Sequence, residues 1–128
     1  MSSPARRYPV KPSISIIYQI LVSWAKSTKP QTYTQLSNDY HAHTGVWFEP
    51  HGSWDVPLGE LNMRLAEMGA PALSALVILK EKNEPGNAFW GCASNVSSRP
   101  KGDIERLTEW NKILIAVSKF SWPSTLPP

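Results

Sequence analysis

The sequence contains a single cysteine, Cys92, and no apolar run long enough to cross a bilayer. One cysteine excludes an intrachain disulfide and fits a reducing compartment. The N-terminal residues also lack the apolar centre of a signal peptide, because Arg6 and Arg7 are followed by a proline-containing segment. These absences predict a cytoplasmic protein without a membrane span.

An excess of one charge is also missing from most of the chain. The net charge is +3, from thirteen basic and ten acidic residues. Residues 1–12 hold Arg6, Arg7 and Lys11 and no acid, which leaves ten basic and ten acidic residues in 13–128. We therefore expect residues 1–12, the N-terminal arm, to supply any electrostatic attraction to nucleic acid.

Length and composition favour one folded domain. The 128 residues are 41% apolar and 18% charged, which is typical of a globular domain that folds without disulfides or metal. Prolines are frequent in both terminal segments. We predict a flexible basic arm over 1–12, a single domain over 13–120 and a flexible proline-rich tail over 121–128.

Two helices are predicted in the first half of the chain. Ser13 is a suitable N-cap for the first helix, in which apolar residues recur every three or four positions as far as Trp24. Thr32 and Gln35 have the spacing of a capping box that opens a second helix. Gly45 is placed to end that helix.

Two further helices are predicted in the second half. The third begins at Asp55 and ends at Gly69, and the fourth begins at Asp103. The apolar residues expected on one side of the fourth helix are Ile104, Leu107, Trp110, Leu114 and Val117.

The segment between the third and fourth helices loses the helical period. The run Leu76-Val77-Ile78-Leu79 predicts a buried strand, and residues 83–87 have the composition of a turn. Residues 88–90 are then expected to return as a second strand. The predicted fold class is α+β and winged-helix-like: three helices, a β-hairpin and a fourth, C-terminal helix.

This order of elements resembles a winged helix-turn-helix. The stretch Thr32-Tyr33-Thr34-Gln35-Leu36 is similar to the Thr-Tyr-Gly-Gln/Glu-Leu stretch in the DNA-binding half of alkylguanine DNA alkyltransferases and alkyltransferase-like proteins. That family's Pro-Cys-His-Arg site has no counterpart, because residues 77–80 read Val-Ile-Leu-Lys. The resemblance implies a DNA-binding fold that accepts no alkyl group, since the thiolate nucleophile is missing.

One of two open functions is association with nucleic acid or a nucleoprotein complex. The candidate nucleic-acid-binding residues are Arg6, Arg7, Lys29, Asn62, Arg64 and Lys82. Asn62 and Arg64 are expected on the outer face of the third helix, where asparagine reads adenine and arginine reads guanine. Glu60 and Glu67 are expected on the same face and would repel phosphates.

The other function is an inhibitor or immunity-type protein that blocks a partner protein. Trp47, Phe48 and Trp54 lie in a connection that also contains Pro50 and Gly52, and they are the candidate partner-binding residues. Trp54 is the one that we expect to be most exposed. The alternative for Trp47 and Phe48 is that they cover the hairpin as core residues.

No catalytic or metal-binding spacing is present. His41, His43 and His51 fall within eleven residues, but the His-Glu-x-x-His and Cys-x-x-Cys patterns are absent. Cys92 stands beside bulky apolar residues and is interpreted as a packed thiol. We predict a non-catalytic module without metal or cofactor, which at fold level resembles small accessory proteins of phages and mobile elements.

Overall fold

Four α-helices and one two-stranded parallel sheet form the regular structure of the residues that the computed structural model describes, 11–27 and 29–127. In chain order these are α1 (Ile14–Ser27), β1 (Gln31–Thr32), α2 (Tyr33–Thr44), α3 (Asp55–Glu67), β2 (Val77–Ile78) and α4 (Asp103–Lys119). Two 3₁₀ turns, Leu73–Leu76 and Asn87–Phe89, flank β2. The α+β class is confirmed. None of the helices in the described ranges has the length and apolar character that crossing a bilayer demands.

The first helix is the centre of the core. The Ser13 hydroxyl accepts a hydrogen bond from the Ile16 amide at 3.4 Å, so this residue caps the helix as the sequence predicts. The apolar side of α1 packs against α2, α3 and the 3₁₀ turn before β2. Trp24 is buried, and its indole Nε1 donates to the Asp39 carboxylate of α2 at 2.8 Å.

The second helix begins and ends where the sequence predicts. Thr32 Oγ1 accepts a hydrogen bond from the Gln35 amide at 3.1 Å. The Gln35 side-chain nitrogen donates to Asp39, and no hydrogen bond from the Thr32 amide to the Gln35 side-chain oxygen occurs in the described part of the chain, so the capping box is only half formed. Gly45 ends the helix at φ +77°, a conformation that costs glycine little, and its amide donates to the His41 carbonyl.

The predicted β-hairpin is wrong. Val77 and Ile78 form a strand, but they pair in parallel with Gln31 and Thr32, which directly precede α2. Residues 88–90, the expected second strand, lie in and after the 3₁₀ turn Asn87–Phe89. The 3₁₀ turn Leu73–Leu76, directly before β2, packs against α1, α3 and α4. Three helices therefore bury this turn, and no hairpin occurs within the described residues.

The predicted core side of the fourth helix is confirmed in its later turns, where Trp110 and Leu114 pack against the core, and is wrong in its first turns. Ile104 is 80% exposed and Leu107 is 44% exposed, whereas Arg106 and Val117 are buried. The Arg106 guanidinium pairs with the Glu84 carboxylate at 2.6 Å. This ion pair takes the inward position in the first turns, so the apolar spacing there does not mark the core side.

The C-terminal segment also differs from its prediction. The sequence predicts a flexible tail over 121–128, but Trp122 packs edge-on against Tyr18 with ring centroids 6.1 Å apart. The Tyr18 hydroxyl donates to the Pro123 carbonyl at 2.6 Å, and Leu126 is buried. Burial of these large apolar groups offsets the entropy lost on ordering the segment. Most of the predicted N-terminal arm, residues 1–10, lies outside the described residues.

Candidate binding cleft beside Tyr33

A cleft of ≈ 420 Å³ opens between the first turns of α2 and α3 and the segment that follows β2. Its volume lies within the range of about 300–1,000 Å³ that is usual for sites that hold small molecules. Its wall residues are Tyr33, Pro50, His51, Gly52, Asp55, Leu79, Gly86, Asn87 and Ala88. Aromatic, aliphatic and hydrogen-bonding groups therefore meet in one concave surface.

The sheet places Tyr33 in the wall of this cleft. Tyr33 is the first residue of α2, and its neighbour Thr32 pairs with Ile78. The pKa of the Tyr33 hydroxyl is raised to about 12, mainly by burial and to a lesser extent by the nearby Asp55 carboxylate. A hydrogen bond with the Gly86 backbone lowers this pKa in part. Tyr33 is therefore neutral at physiological pH.

Gly86 lies in the wall of the cleft, next to the Tyr33 hydroxyl. A Cβ atom at this position would lie 3.4 Å from the Tyr33 hydroxyl and 3.8 Å from a methyl group of Leu79. The backbone of Gly86 is extended, with φ −71° and ψ 171°, so other residues fit its conformation. A methyl group at this position would therefore touch Tyr33 and Leu79 at ordinary van der Waals distances, without a clash and without backbone strain.

Hydrogen-bonding groups stand at the rim of the cleft. The side chains of His51, Asp55 and Asn87 are exposed there. A second groove of ≈ 170 Å³ adjoins the first and includes Thr34 and Lys80, beside the N-terminus of α2. The Asp55 carboxylate and the Lys80 ammonium group thus stand on different parts of one continuous surface, and Glu81 adds a second carboxylate next to Lys80.

The cysteine lies behind the wall of the cleft, not in it. Cys92 borders a cavity of only ≈ 10 Å³ between Tyr33 and α3. Burial raises the pKa of the Cys92 thiol, and the Asn62 side chain donates a hydrogen bond to its sulfur at 3.3 Å. A thiol held in its protonated form is a poor nucleophile. Among the described residues, no three His, Cys, Asp or Glu side chains come together as a metal site.

Of the predicted nucleic-acid-binding residues, two are held in unexpected places. Asn62 is fully buried and bonded to Ser74, which contradicts the prediction that it lies on the outer face of α3. Arg64 is half-buried and donates to the Pro127 carbonyl at 2.6 Å. Lys29 and Lys82 are exposed, as expected. Arg6 and Arg7 lie outside the described residues.

The predicted partner-binding loop divides into core and surface. Trp54 is fully buried, so the prediction that it is the most exposed of the three is wrong. Its indole Nε1 donates to the Ser37 hydroxyl at 2.9 Å, a partner that sequence spacing does not reveal. Phe48 is half-buried and packs edge-on against Tyr40 and Trp54. Trp47 is 46% exposed.

Sequence reasoning missed the cleft itself. From the sequence, residues 83–87 are assigned to the turn of a hairpin, and no binding site is predicted at Tyr33. The available signal was the Pro85-Gly86-Asn87 stretch, since a glycine with ordinary backbone angles can mark a close approach. The residue that Gly86 approaches is Tyr33, which lies 53 positions earlier in the chain.

Comparisons with protein-family models, with curated proteins and with solved structures find no match for this chain.

Proposed function

We propose that this chain is a non-catalytic nucleic-acid-binding module that holds an unpaired base in the cleft beside Tyr33. The observation that carries the proposal is the composition of that cleft. It combines an aromatic ring with the Asp55 and Asn87 side chains at its rim. Aromatic rings stack on bases, and carboxylate and amide groups hydrogen-bond base edges.

The adjoining groove supports a phosphate contact next to the base. It runs past the N-terminus of α2, where backbone amides and the helix dipole favour an anion. Lys80 is exposed in the same groove and carries the positive charge that a phosphate pairs with. A nucleotide with its base beside Tyr33 would therefore have favourable groups for both of its ends.

In this proposal α3 does not recognise bases in the major groove. Glu60 and Glu67 are exposed on this helix, and Asn62 is buried. A helix that turns two carboxylates outward is unsuited to the major groove of a duplex. We therefore propose selectivity for single strands or unpaired bases over paired duplex.

A protein partner is the second candidate, and one observation favours it. Trp47, Val56 and Met63 are exposed apolar residues, the last two on the same helix as Glu60 and Glu67. Tryptophan is enriched among the residues that dominate protein interfaces. An inhibitor or immunity-type protein would use such a surface, and its binding would not depend on the cleft.

The test is fluorescence anisotropy with labelled oligonucleotides: a single strand, a paired duplex and a duplex with one bulged base. We expect the single strand and the bulged duplex to bind more tightly than the paired duplex. Gly86→Ala adds a methyl group to the cleft wall beside Tyr33, and Asp55→Ala removes a hydrogen-bonding group from the rim. Each should weaken binding at least fivefold, whereas Asn38→Ala, an exposed position elsewhere on α2, should change it little.

Circular dichroism melting of each variant separates loss of binding from loss of folding. Equal affinity for all three oligonucleotides, or an unchanged affinity in a folded Gly86→Ala protein, would contradict the cleft proposal. Absence of nucleic-acid binding together with capture of a protein that is lost in Trp47→Ala would favour the second candidate.

A further inference from the structure

A row of apolar side chains on α4 faces solvent rather than the core. Ile104 is 80% exposed, Leu107 is 44% exposed and Ile115 is 46% exposed. Two exposed polar residues, Asn111 and Ser118, lie on the same side, so that the five follow one another at intervals of three or four residues. These five residues, called here the α4 stripe, follow one side of the helix over about 21 Å, since each residue advances by about 1.5 Å.

A groove adjoins the C-terminal half of the stripe. Its volume is ≈ 210 Å³, and its floor includes Ala25 of α1 and Leu76, with Leu114 of α4 beside them. Exposed apolar side chains beside a groove are typical of a site of protein association. The N-terminal half of the same stripe carries the protruding Ile104 and Leu107 side chains.

The charges of α4 are divided between its two halves. Asp103, Glu105 and Glu109 lie in the N-terminal half, and Lys112 and Lys119 lie in the C-terminal half. The remaining charged residue, Arg106, is bound to Glu84 and Asp103 and faces inward. If α4 of a second copy packed antiparallel to this helix, the acidic half of each helix would face the basic half of the other. This arrangement would also oppose the two helix dipoles.

We propose that the α4 stripe is the contact surface for a second copy of this chain, with the two helices antiparallel about a two-fold axis at Asn111. In this register Leu107 faces Ile115 of the other copy, and Ile104 faces Ser118 and the groove beside it. The two Asn111 amides meet at the axis and hydrogen-bond each other. A two-fold dimer requires a self-complementary surface, and the α4 stripe meets this condition in the order of its side chains and charges.

Sedimentation velocity of the full chain over a concentration series tests the association. We expect a reversible monomer–dimer equilibrium for the wild-type chain. Leu107→Glu and Ile115→Glu each place a charged carboxylate against an apolar side chain of the other copy, so each should raise the concentration at which half of the chains are dimeric at least tenfold. Met63→Glu, at a residue of similar exposure on α3, is the matched control and should leave the equilibrium unchanged.

Cysteine cross-linking tests the register. In a Cys92→Ser background, Ile104→Cys chains mixed with Ser118→Cys chains should form a disulfide-linked dimer under mild oxidation. Either chain alone should cross-link slowly, because like positions lie 14 residues apart along the axis, about 21 Å. Ala116→Cys, which is exposed on another side of the helix, should not cross-link with Ile104→Cys.

A monomer at every concentration would overturn the proposal. So would a dimer that survives both glutamate variants, or one in which Ile104→Cys links to itself as readily as to Ser118→Cys. Circular dichroism confirms that each variant is folded before its association is measured.

Discussion

The tryptophans in the 46–54 loop show how one side chain's partner decides its role. The Trp54 indole donates to Ser37 inside the core, and its ring packs edge-on against Tyr40 with centroids 5.4 Å apart. The Trp47 indole donates at 3.0 Å to Glu49, an exposed carboxylate two residues away. A buried partner satisfies the polar atom of a buried tryptophan, whereas an exposed partner leaves the ring at the surface.

This difference predicts opposite effects on stability. Trp54→Ala removes a fully buried ring and leaves the Ser37 hydroxyl without its partner, so we expect the free energy of unfolding to fall by about 3–5 kcal/mol. Trp47→Ala should change it by no more than about 0.5 kcal/mol. Urea denaturation measures both. A folded Trp54→Ala chain with nearly wild-type stability would mean that the ring is not part of the core.

At the scale of the element, α4 depends on polar contacts as well as on apolar packing. Arg106 binds both carboxylate oxygens of Glu84, at 2.6 and 3.2 Å, and also Asp103 at 2.8 Å. One turn further along, the Trp110 indole donates to the Ala75 carbonyl at 2.9 Å. These contacts hold the helix against the turn after β2 and against the 3₁₀ turn before it, and they set which side of α4 faces solvent.

Replacing the guanidinium tests this attachment. Arg106→Lys keeps the charge but cannot form the two-point contact with Glu84, so we expect the midpoint of thermal unfolding to fall by several degrees. Lys112→Ala breaks the exposed pair with Glu109 and serves as the control, with little expected change. Differential scanning calorimetry gives both midpoints. Equal midpoints for the two variants would show that the Arg106 contact does not hold α4.

At the scale of the whole molecule, the distribution of charge limits how the chain attracts nucleic acid. Residues 13–128 contain equal numbers of basic and acidic groups, and residues 1–12 contain three basic groups and no acid. A binding site in the folded part would therefore rely on local contacts, with long-range attraction supplied by the arm. The folded part should then determine which nucleic acid is bound, and the arm should determine how steeply the affinity falls with salt.

Deletion of residues 2–11 tests that separation. These residues contain Arg6, Arg7 and Lys11, and each phosphate contact that is lost lowers the slope of log affinity against log salt by about 0.7 for a single strand. We expect a flatter salt dependence for the truncated chain, with its dependence on Gly86 unchanged. Tight binding by the truncated chain with the original steep slope would place the basic contacts in the folded part.

Local interactions explain which features were predictable from the sequence. The cap at Thr32, the end of α2 at Gly45 and the start of α3 at Asp55 were all predicted and are all present. Each depends on a hydrogen bond or a backbone preference that acts within four residues. The α+β class followed in the same way, because helical spacing and an extended apolar run are both local patterns.

The sequence by itself therefore determined where the four helices begin, where α2 ends, and that residues 13–128 carry equal numbers of basic and acidic groups. Tertiary structure alone decided that Val77 pairs with Gln31, that Asn62 and Trp54 are buried, and that Trp122 packs against Tyr18. Each of these outcomes rests on a contact between residues at least 12 positions apart. The cleft belongs to the same group, since Gly86 and Tyr33 meet only once the helices have packed around β2.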